Sequence, residues 1–272
     1  MQKSFALSIG GGALALAALA LVPAQADDAM TGRQVMESWE KKNRAKDETT
    51  KAAMHIYEGK ALAKKRELTT WVKTGKSYED RSLIRFHAPA DIRGTGMLTH
   101  QHGKSEDDQW IYLPATKKSK RLASGERKNS FVGSDYSYED LRTENLSIYS
   151  YKVVEKSMIK KLGQECYVVD AMPASEAEKR NSGYSKRRMW VGSKDWQIHR
   201  IDYYKADGDK GVIKSQRFSD FKSLPAWKGF TRAGKAVMLN KKKKSKTEFV
   251  FSDRTIDAGL GDDNFSERKL KE

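Results

Sequence analysis

Few side chains in this sequence stand at spacings that do covalent or metal chemistry. His100 and His102 are the strongest pair, because alternate strand positions share a face and two imidazoles could converge on one ion. A closed site needs about four ligands, and no Cys or carboxylate follows at matching spacing. Asp107-Asp108 and Glu139-Asp140 set acids side by side, but neighbours on a strand diverge and acids at a helix start serve as caps. Ser134 lies between Gly133 and Asp135 without the Gly-x-Ser-x-Gly elbow that exposes a nucleophile, so it is expected to set a turn. No Gly-x-Gly-x-x-Gly loop, phosphate-binding loop or His-Glu-x-x-His helix occurs in the sequence. The reading is a protein that is not an enzyme, with no metal and no cofactor.

Apolar binding is better represented. Only 38% of the chain is hydrophobic, yet it holds 6 Trp and 11 Tyr. Trp71, Trp110, Tyr112, Trp190 and Tyr203 all fall in strand-like runs, where they either pack a filled aromatic core or line a lipid-binding cavity on the concave face of a curved sheet. Burying a methylene contributes ~0.8 kcal/mol, so a long acyl chain gains on the order of ten kcal/mol and outweighs an exposed ion pair worth ~1. In the run 109–114, Trp110 and Tyr112 share one pleat face and Ile111 and Leu113 the other. The flat rings are expected to face the cavity and the aliphatics a packed core.

The stretch Asp107 to Leu141 organises the elements that position these groups. Residues 109–114 read as a strand, Pro114 to Lys118 turn the chain, and Lys118 to Leu122 can return as a second strand. Gly133-Ser134-Asp135 then breaks the pattern, and Ser137 with Asp140 has the Ser-x-x-acid spacing of a helix start, predicting a short helical turn within 135–141. Ahead of it, Thr31-Gly32-Arg33-Gln34 has capping-box spacing, and Val35, Met36 and Trp39 make one narrow apolar face, as of a helix laid on a sheet. Strand patterns cover 54–58, 62–73, 78–87, 97–102, 148–161, 166–172, 187–191, 197–205, 212–221, 227–232, 235–240 and 247–252. So many short strands at regular spacing, without repeat or linker, predict one mainly β domain over 27–272, a strongly curved sheet or barrel.

Trp-Ile-Tyr-Leu-Pro at 110–114, followed by Phe-Val-Gly-Ser-Asp-Tyr-Ser-Tyr-Glu-Asp-Leu at 131–141, resembles the signature of the outer membrane lipoprotein-sorting protein family, relatives of the periplasmic carrier LolA. Gly133, Ser134, Asp135, Tyr136, Tyr138 and Asp140 are the signature positions in this chain. The resemblance implies an incomplete antiparallel β-barrel with a helical lid and an N-terminal helix. It also implies a carrier of lipoprotein acyl chains or lipid, passing cargo from an inner-membrane exporter to an outer-membrane acceptor. The alternative on the same fold is a periplasmic sensor or transporter-associated adaptor. The segment 257–268 resembles the family's closing segment, with Phe265 as its plug. Arg81 and Arg85 loosely match a strand where the carrier has a lid-locking arginine; their own spacing reads as strand arginines facing solvent.

Residues 1–26 have the plan of a secretory signal: Lys3, an apolar run from Ala13 to Val22, and Ala24-Gln25-Ala26 as the cleavage site, so the mature chain is expected to begin near Asp27 in a periplasm. The apolar run is shorter than the ~20 residues of a spanning helix. The net charge of +16 drops by only one with Lys3, so the mature chain stays basic. An exported chain without a nucleic-acid motif directs that charge toward an anionic membrane surface rather than nucleic acid, with Lys186-Arg187-Arg188 and the run Lys241 to Lys244 as the conspicuous features. Cys166 stands alone, so no intramolecular disulfide forms and stability rests on burial.

Overall fold

A computed structural model describes Met1 and residues 30–159, 163–206 and 211–272. The expected signal segment, and the end of the run 148–161, lie outside the described residues. The elements in chain order are α1 (Gly32–Asn43), β1 (Asp47–Glu58), β2 (Ala61–Lys73), β3 (Arg81–Ala88), β4 (Gly96–His100), β5 (Asp108–Leu113), β6 (Lys118–Arg121), β7 (Tyr149–Ile159) and β8 (Gln164–Pro173). There follow α2 (Glu176–Ser182), β9 (Tyr184–Gly192), β10 (Ile198–Lys205), β11 (Val212–Ser219), β12 (Lys222–Ser223), β13 (Thr231–Arg232), β14 (Lys235–Asn240), β15 (Ser245–Ile256) and α3 (Glu267–Lys271). Thirteen strands form one antiparallel sheet in the order β6-β5-β4-β3-β2-β1-β15-β14-β11-β10-β9-β8-β7, while β12 and β13 pair separately. The outermost strands β6 and β7 do not pair with each other, so the sheet stays open.

One face carries the main core, in which Met54, Leu68, Ile84, Phe86, Met97, Val169, Met189, Met238 and Phe249 come from strands across the sheet. Their period-two spacing within each strand puts them on that single face. The helix α1 lays Val35 and Met36, both fully buried, against this core, and its start is fixed by the expected capping box: Thr31 N donates to Gln34 Oε1 (2.8 Å) and Gln34 N to Thr31 Oγ1 (3.3 Å). No helix among the described residues is long and apolar enough to cross a membrane.

On the opposite face of β3 and β4, Leu83 and Leu98 form a smaller cluster with Phe265 and Leu270 from the C-terminal segment. Arg81 pairs with Asp262 (3.4 Å), His100 Nε2 bonds the Phe265 carbonyl (2.7 Å), and Arg85 donates to the Lys269 carbonyl. The two strand arginines therefore bind the C-terminal segment rather than solvent or a lid.

Because β6 and β7 are the two edges, the chain between them, residues 122–148, has to cross the sheet. It does so on the core face, burying Phe131, Tyr136 and Leu146. This crossing strap consists of 3-10 turns and irregular chain, among them the single turn Glu139–Leu141 within the predicted helical segment.

Candidate functional site

The signature residues build the strap's centre. Phe131 to Ser134 is a tight turn in which Ser134 N donates to Phe131 O (2.9 Å) and both central residues take positive φ, +43° at Val132 and +77° at Gly133. Nothing lies within 4 Å of where a Gly133 side chain would start, so glycine is favoured there by conformation and not by space. The turn closes a small hairpin through Phe131 N to Tyr136 O (2.8 Å) and the bridge Ser130–Ser137.

Asp135 and Asp140 then tie the strap to different strands of the sheet, and Glu139 pairs with arginines of the strap itself. Asp135 accepts from Ser245 Oγ (2.5 Å) and Thr247 Oγ1 (2.8 Å) on β15. Asp140 accepts from Tyr184 OH on β9 (2.7 Å), from Lys214 on β11, and from Ser137 N (2.6 Å), which realises the predicted Ser-x-x-acid cap. Glu139 joins a buried charge cluster: Arg127 contacts Glu139 (3.0 Å) and Glu178 (2.7 Å), while Arg142 contacts Asp107 (2.5 Å), Glu139 (2.9 Å) and Glu178 (3.2 Å). Asp107 thus faces inward, and its neighbour Asp108 faces outward to His102 (2.9 Å) and Arg121. Ser134 sets the turn as expected, its Oγ accepting from Tyr136 N (3.2 Å). Burial lifts the phenols of Tyr136, Tyr149, Tyr184 and Tyr203 above their ordinary range, so they stay protonated; Tyr149, Tyr184 and Tyr203 act as donors, while Tyr136 OH accepts from Gln216 Nε2 (3.4 Å).

Three neighbouring spaces lie on the core face of the sheet, under α1 and the strap. The outermost, about 380 Å³, sits at the end of the sheet where β1 and β10 begin and β2, β11 and β15 end; Trp39, Val72, Ile198, Phe218, Phe221 and Phe251 give it an apolar wall. One inner space of about 210 Å³ is lined by Leu68, Ile84, Phe131, Leu141, Ala236 and Phe249. A second, about 260 Å³, lies beside Tyr149, Ile201 and Tyr203 and is largely polar, with Glu139, Asp140, Arg142, Glu144 and Arg187 in its wall. Phe218 borders all three. At the outer rim, Arg232 and Arg254 share Glu48 (both 2.8 Å) and Arg44 pairs with Asp80 (2.6 Å), so the rim charges are matched in place.

Of the five aromatics expected to line a cavity, only Tyr203 borders these spaces. Trp71, Trp110 and Tyr112 lie on the opposite sheet face and pack on the Leu83–Leu98–Phe265 cluster. Ile111, not the rings, is on the core side of β5, opposite Met97. Trp190 is half-buried under the Arg200 guanidinium, 4.3 Å from its centroid. The basic run 186–188 is spent on ion pairs: Arg187 turns inward to Glu144 (2.9 Å), and Lys186 and Arg188 share Asp170 (2.7 and 2.6 Å). His100 and His102 engage Phe265 and Asp108 separately, and no group of three metal-ligating side chains occurs among the described residues. The sequence reading passed over Trp39 as a cavity residue and missed Phe218 and Phe251. The available signal was that Phe249 and Phe251 alternate on one strand face, where they stack at 6.0 Å.

The open sheet crossed on its core face by a strap has a LolA-like fold. A LolA superfamily protein from Nitrosomonas europaea matches with a TM-score of 0.70 at 17% identity, over 89% of this chain and all (100%) of that one. A domain from Vibrio parahaemolyticus named for outer membrane lipoprotein sorting matches at 0.81 with 26% identity, over 89% and 98% of the two chains. A DUF1329 family protein from Desulfovibrio piger matches at 0.79 with 26% identity, over 88% and 97%. A family model described as "Uncharacterized protein" matches residues 78–272, and the chain belongs to that family. No curated protein sequence matches it.

Proposed function

We propose that this protein is a non-catalytic periplasmic carrier that holds an acyl chain of a lipoprotein or lipid in the space between sheet and strap. It would reach the periplasm by a signal segment cleaved after Ala26 and pass its cargo from an inner-membrane exporter to an outer-membrane acceptor. The observation that carries this reading is the apolar wall shared by two spaces: Phe218 and Phe251 line both the outer space of about 380 Å³ and the inner one of about 210 Å³. The outer space alone falls within the ~300–1,000 Å³ of small-ligand pockets. Ten buried methylenes would contribute on the order of 8 kcal/mol before ordering costs, enough for binding without a charged anchor. The name of the Vibrio relative, outer membrane lipoprotein sorting, supports the same use.

Val72 is half-buried and lines the outer space, so Val72→Trp fills it from a strand whose backbone need not move. Binding of a fluorescent fatty acid should fall at least tenfold, with the urea midpoint nearly unchanged, and native mass spectrometry of the wild type purified from its own envelope should find stoichiometric lipid. A preparation repeatedly free of lipid, together with a Val72→Trp variant that binds like the wild type, would end the carrier reading.

A further inference from the structure

The other end of the sheet has the opposite chemistry. Where β9 and β11 begin and the β14–β15 turn projects, a cleft of about 760 Å³ is bordered by Lys128, Lys179, Arg180, Lys214, Lys242 and Lys243. Lys205 borders it too, and the acids at its wall are Asp135 and Glu176. Along this lining basic groups outnumber acidic ones. Asp135 is already engaged by Ser245 and Thr247, Glu176 by Lys179 (3.5 Å), and Lys214 by Asp140. Lys128, Arg180, Lys242 and Lys243 are exposed and make no ion pair among the described residues.

The cleft is shaped by the same strap that roofs the apolar spaces. Its floor is polar and buried: Ser134, Ser137 and Tyr184 are each 5% exposed or less, and Ser137 Oγ and Tyr184 OH stand 3.2 Å apart. One wall depends on Gly183, the left-handed cap of α2 (φ +78°), where an added side chain would meet Lys128 Cβ at 3.0 Å. Tyr136 borders both the cleft and the apolar inner space of about 210 Å³, and Tyr184 both the cleft and the polar-lined space of about 260 Å³, so the Tyr136 ring stands between cationic and apolar space.

We infer that this cleft binds a phosphate ester, the headgroup of the class of amphiphile the protein carries. Lysine ammonium groups act as phosphate-binding point charges, whereas the floor hydroxyls are already engaged, Tyr184 OH donating to Asp140 (2.7 Å) and Ser134 Oγ to the Tyr136 carbonyl (3.4 Å). The concave shape and the volume, comparable to a small-molecule pocket, fit a headgroup and not the flat face of a protein or bilayer. The inference rests on the carrier reading, but its test separates the two.

The triple variant Arg180→Gln, Lys242→Gln, Lys243→Gln removes three charges from the cleft. Lys241→Gln with Lys244→Gln removes two from the same turn outside it. Short-chain phosphatidic acid, short-chain phosphatidylcholine, glycerol phosphate and inorganic phosphate are titrated against each protein by calorimetry, and an uncharged fluorescent fatty alcohol reads the apolar space. The triple variant should bind phosphatidic acid roughly tenfold or more weakly, the control less than threefold (~3), and both should keep wild-type alcohol binding and urea midpoint. If glycerol phosphate or inorganic phosphate binds as tightly as phosphatidic acid with the same dependence on the cleft, the site takes phosphate without a lipid tail. If the control loses as much as the triple variant, or wild type binds phosphatidic acid no tighter than phosphatidylcholine, the phosphate site is refuted. Loss of alcohol binding by wild type would instead strike the carrier reading.

Discussion

Replacing Arg142 by Met probes how the strap is held. The Arg142 side chain is 5% exposed and reaches Asp107, Glu139 and Glu178 within 3.2 Å. With Arg127, the cluster sets two guanidiniums against three carboxylates, and Tyr149 OH donates to both glutamates (3.4 and 3.3 Å). Methionine keeps most of the arginine stem, so the packing loss is small and the cost is that of leaving three buried carboxylates to one cation, ~3–5 kcal/mol. That is a large share of the ~5–15 kcal/mol that holds a typical domain. Burial by itself would raise the Glu178 carboxyl, but Arg142 and Arg127 outweigh it and hold the group below its ordinary range. Such a depressed carboxyl contributes stability that is present above its unfolded value and is lost as pH falls through its folded value. In Arg142→Met burial gains ground, the folded value rises, and protonation on acidification relieves the variant while it weakens the wild type. Urea unfolding at pH 7 and near pH 4 should therefore show a gap of ~3–5 kcal/mol that narrows in acid. A gap under ~1 kcal/mol at pH 7, or one that widens in acid, would refute the account.

Phe265→Ala should cost ~3–5 kcal/mol in urea melts, since the ring is 1% exposed against Leu83, Leu98 and Leu270, yet leave fatty-acid binding per folded molecule unchanged because it lies on the face away from the cavity. Trp110→Ala should likewise spare binding, and a clear loss of affinity there would place cargo on the outer face. Burial, with Asp195 adding to it, pushes the Cys166 thiol up to about 11; folded protein should resist alkylation at pH 8 and react quickly in urea. A thiol so raised contributes stability that fades as pH climbs from its ordinary value of 9.0 toward 11, which alkaline unfolding would register.

The fold was legible wherever local chemistry is decisive. Thr31 and Gln34 form the expected capping box, and the runs 187–191 and 197–205 pair as β9 and β10 across the expected turn. The first strand begins at Asp47, seven residues before the predicted start at Met54, because Asp47 to Ala53 alternates weakly in hydropathy and gains its strand form from pairing with both β2 and β15. The tertiary neighbour overrides local preference there, as is usual for β structure. The run expected over 227–232 shrinks to Thr231–Arg232, and Trp227 instead packs with Ala45 and Ile256 while its Nε1 donates to Arg254 O (3.1 Å).

The site was less legible for a reason peculiar to open sheets. Period-two patterning tells which residues share a face, but on β3 to β5 both faces are covered, one by the strap and one by the C-terminal segment, so hydrophobicity cannot say which is inside. Large rings were assigned to the cavity on shape, yet Trp110 and Tyr112 are the ones the C-terminal segment covers, and smaller Ile111 faces the core. What could distinguish the faces is charge. Asp107 and Asp108 adjoin, and the one on the core side needs a buried cation, which Arg142 supplies from within the signature strap. Asp135 and Asp140 are met by donors from the sheet, Thr247 on β15 and Tyr184 on β9, while Glu139 is met by Arg127 and Arg142 of the strap itself. Buried acids so costly to desolvate are kept where they fix a position that apolar packing alone would leave loose. A strap held by directed charge contacts can stand over the sheet without filling the apolar space beneath it.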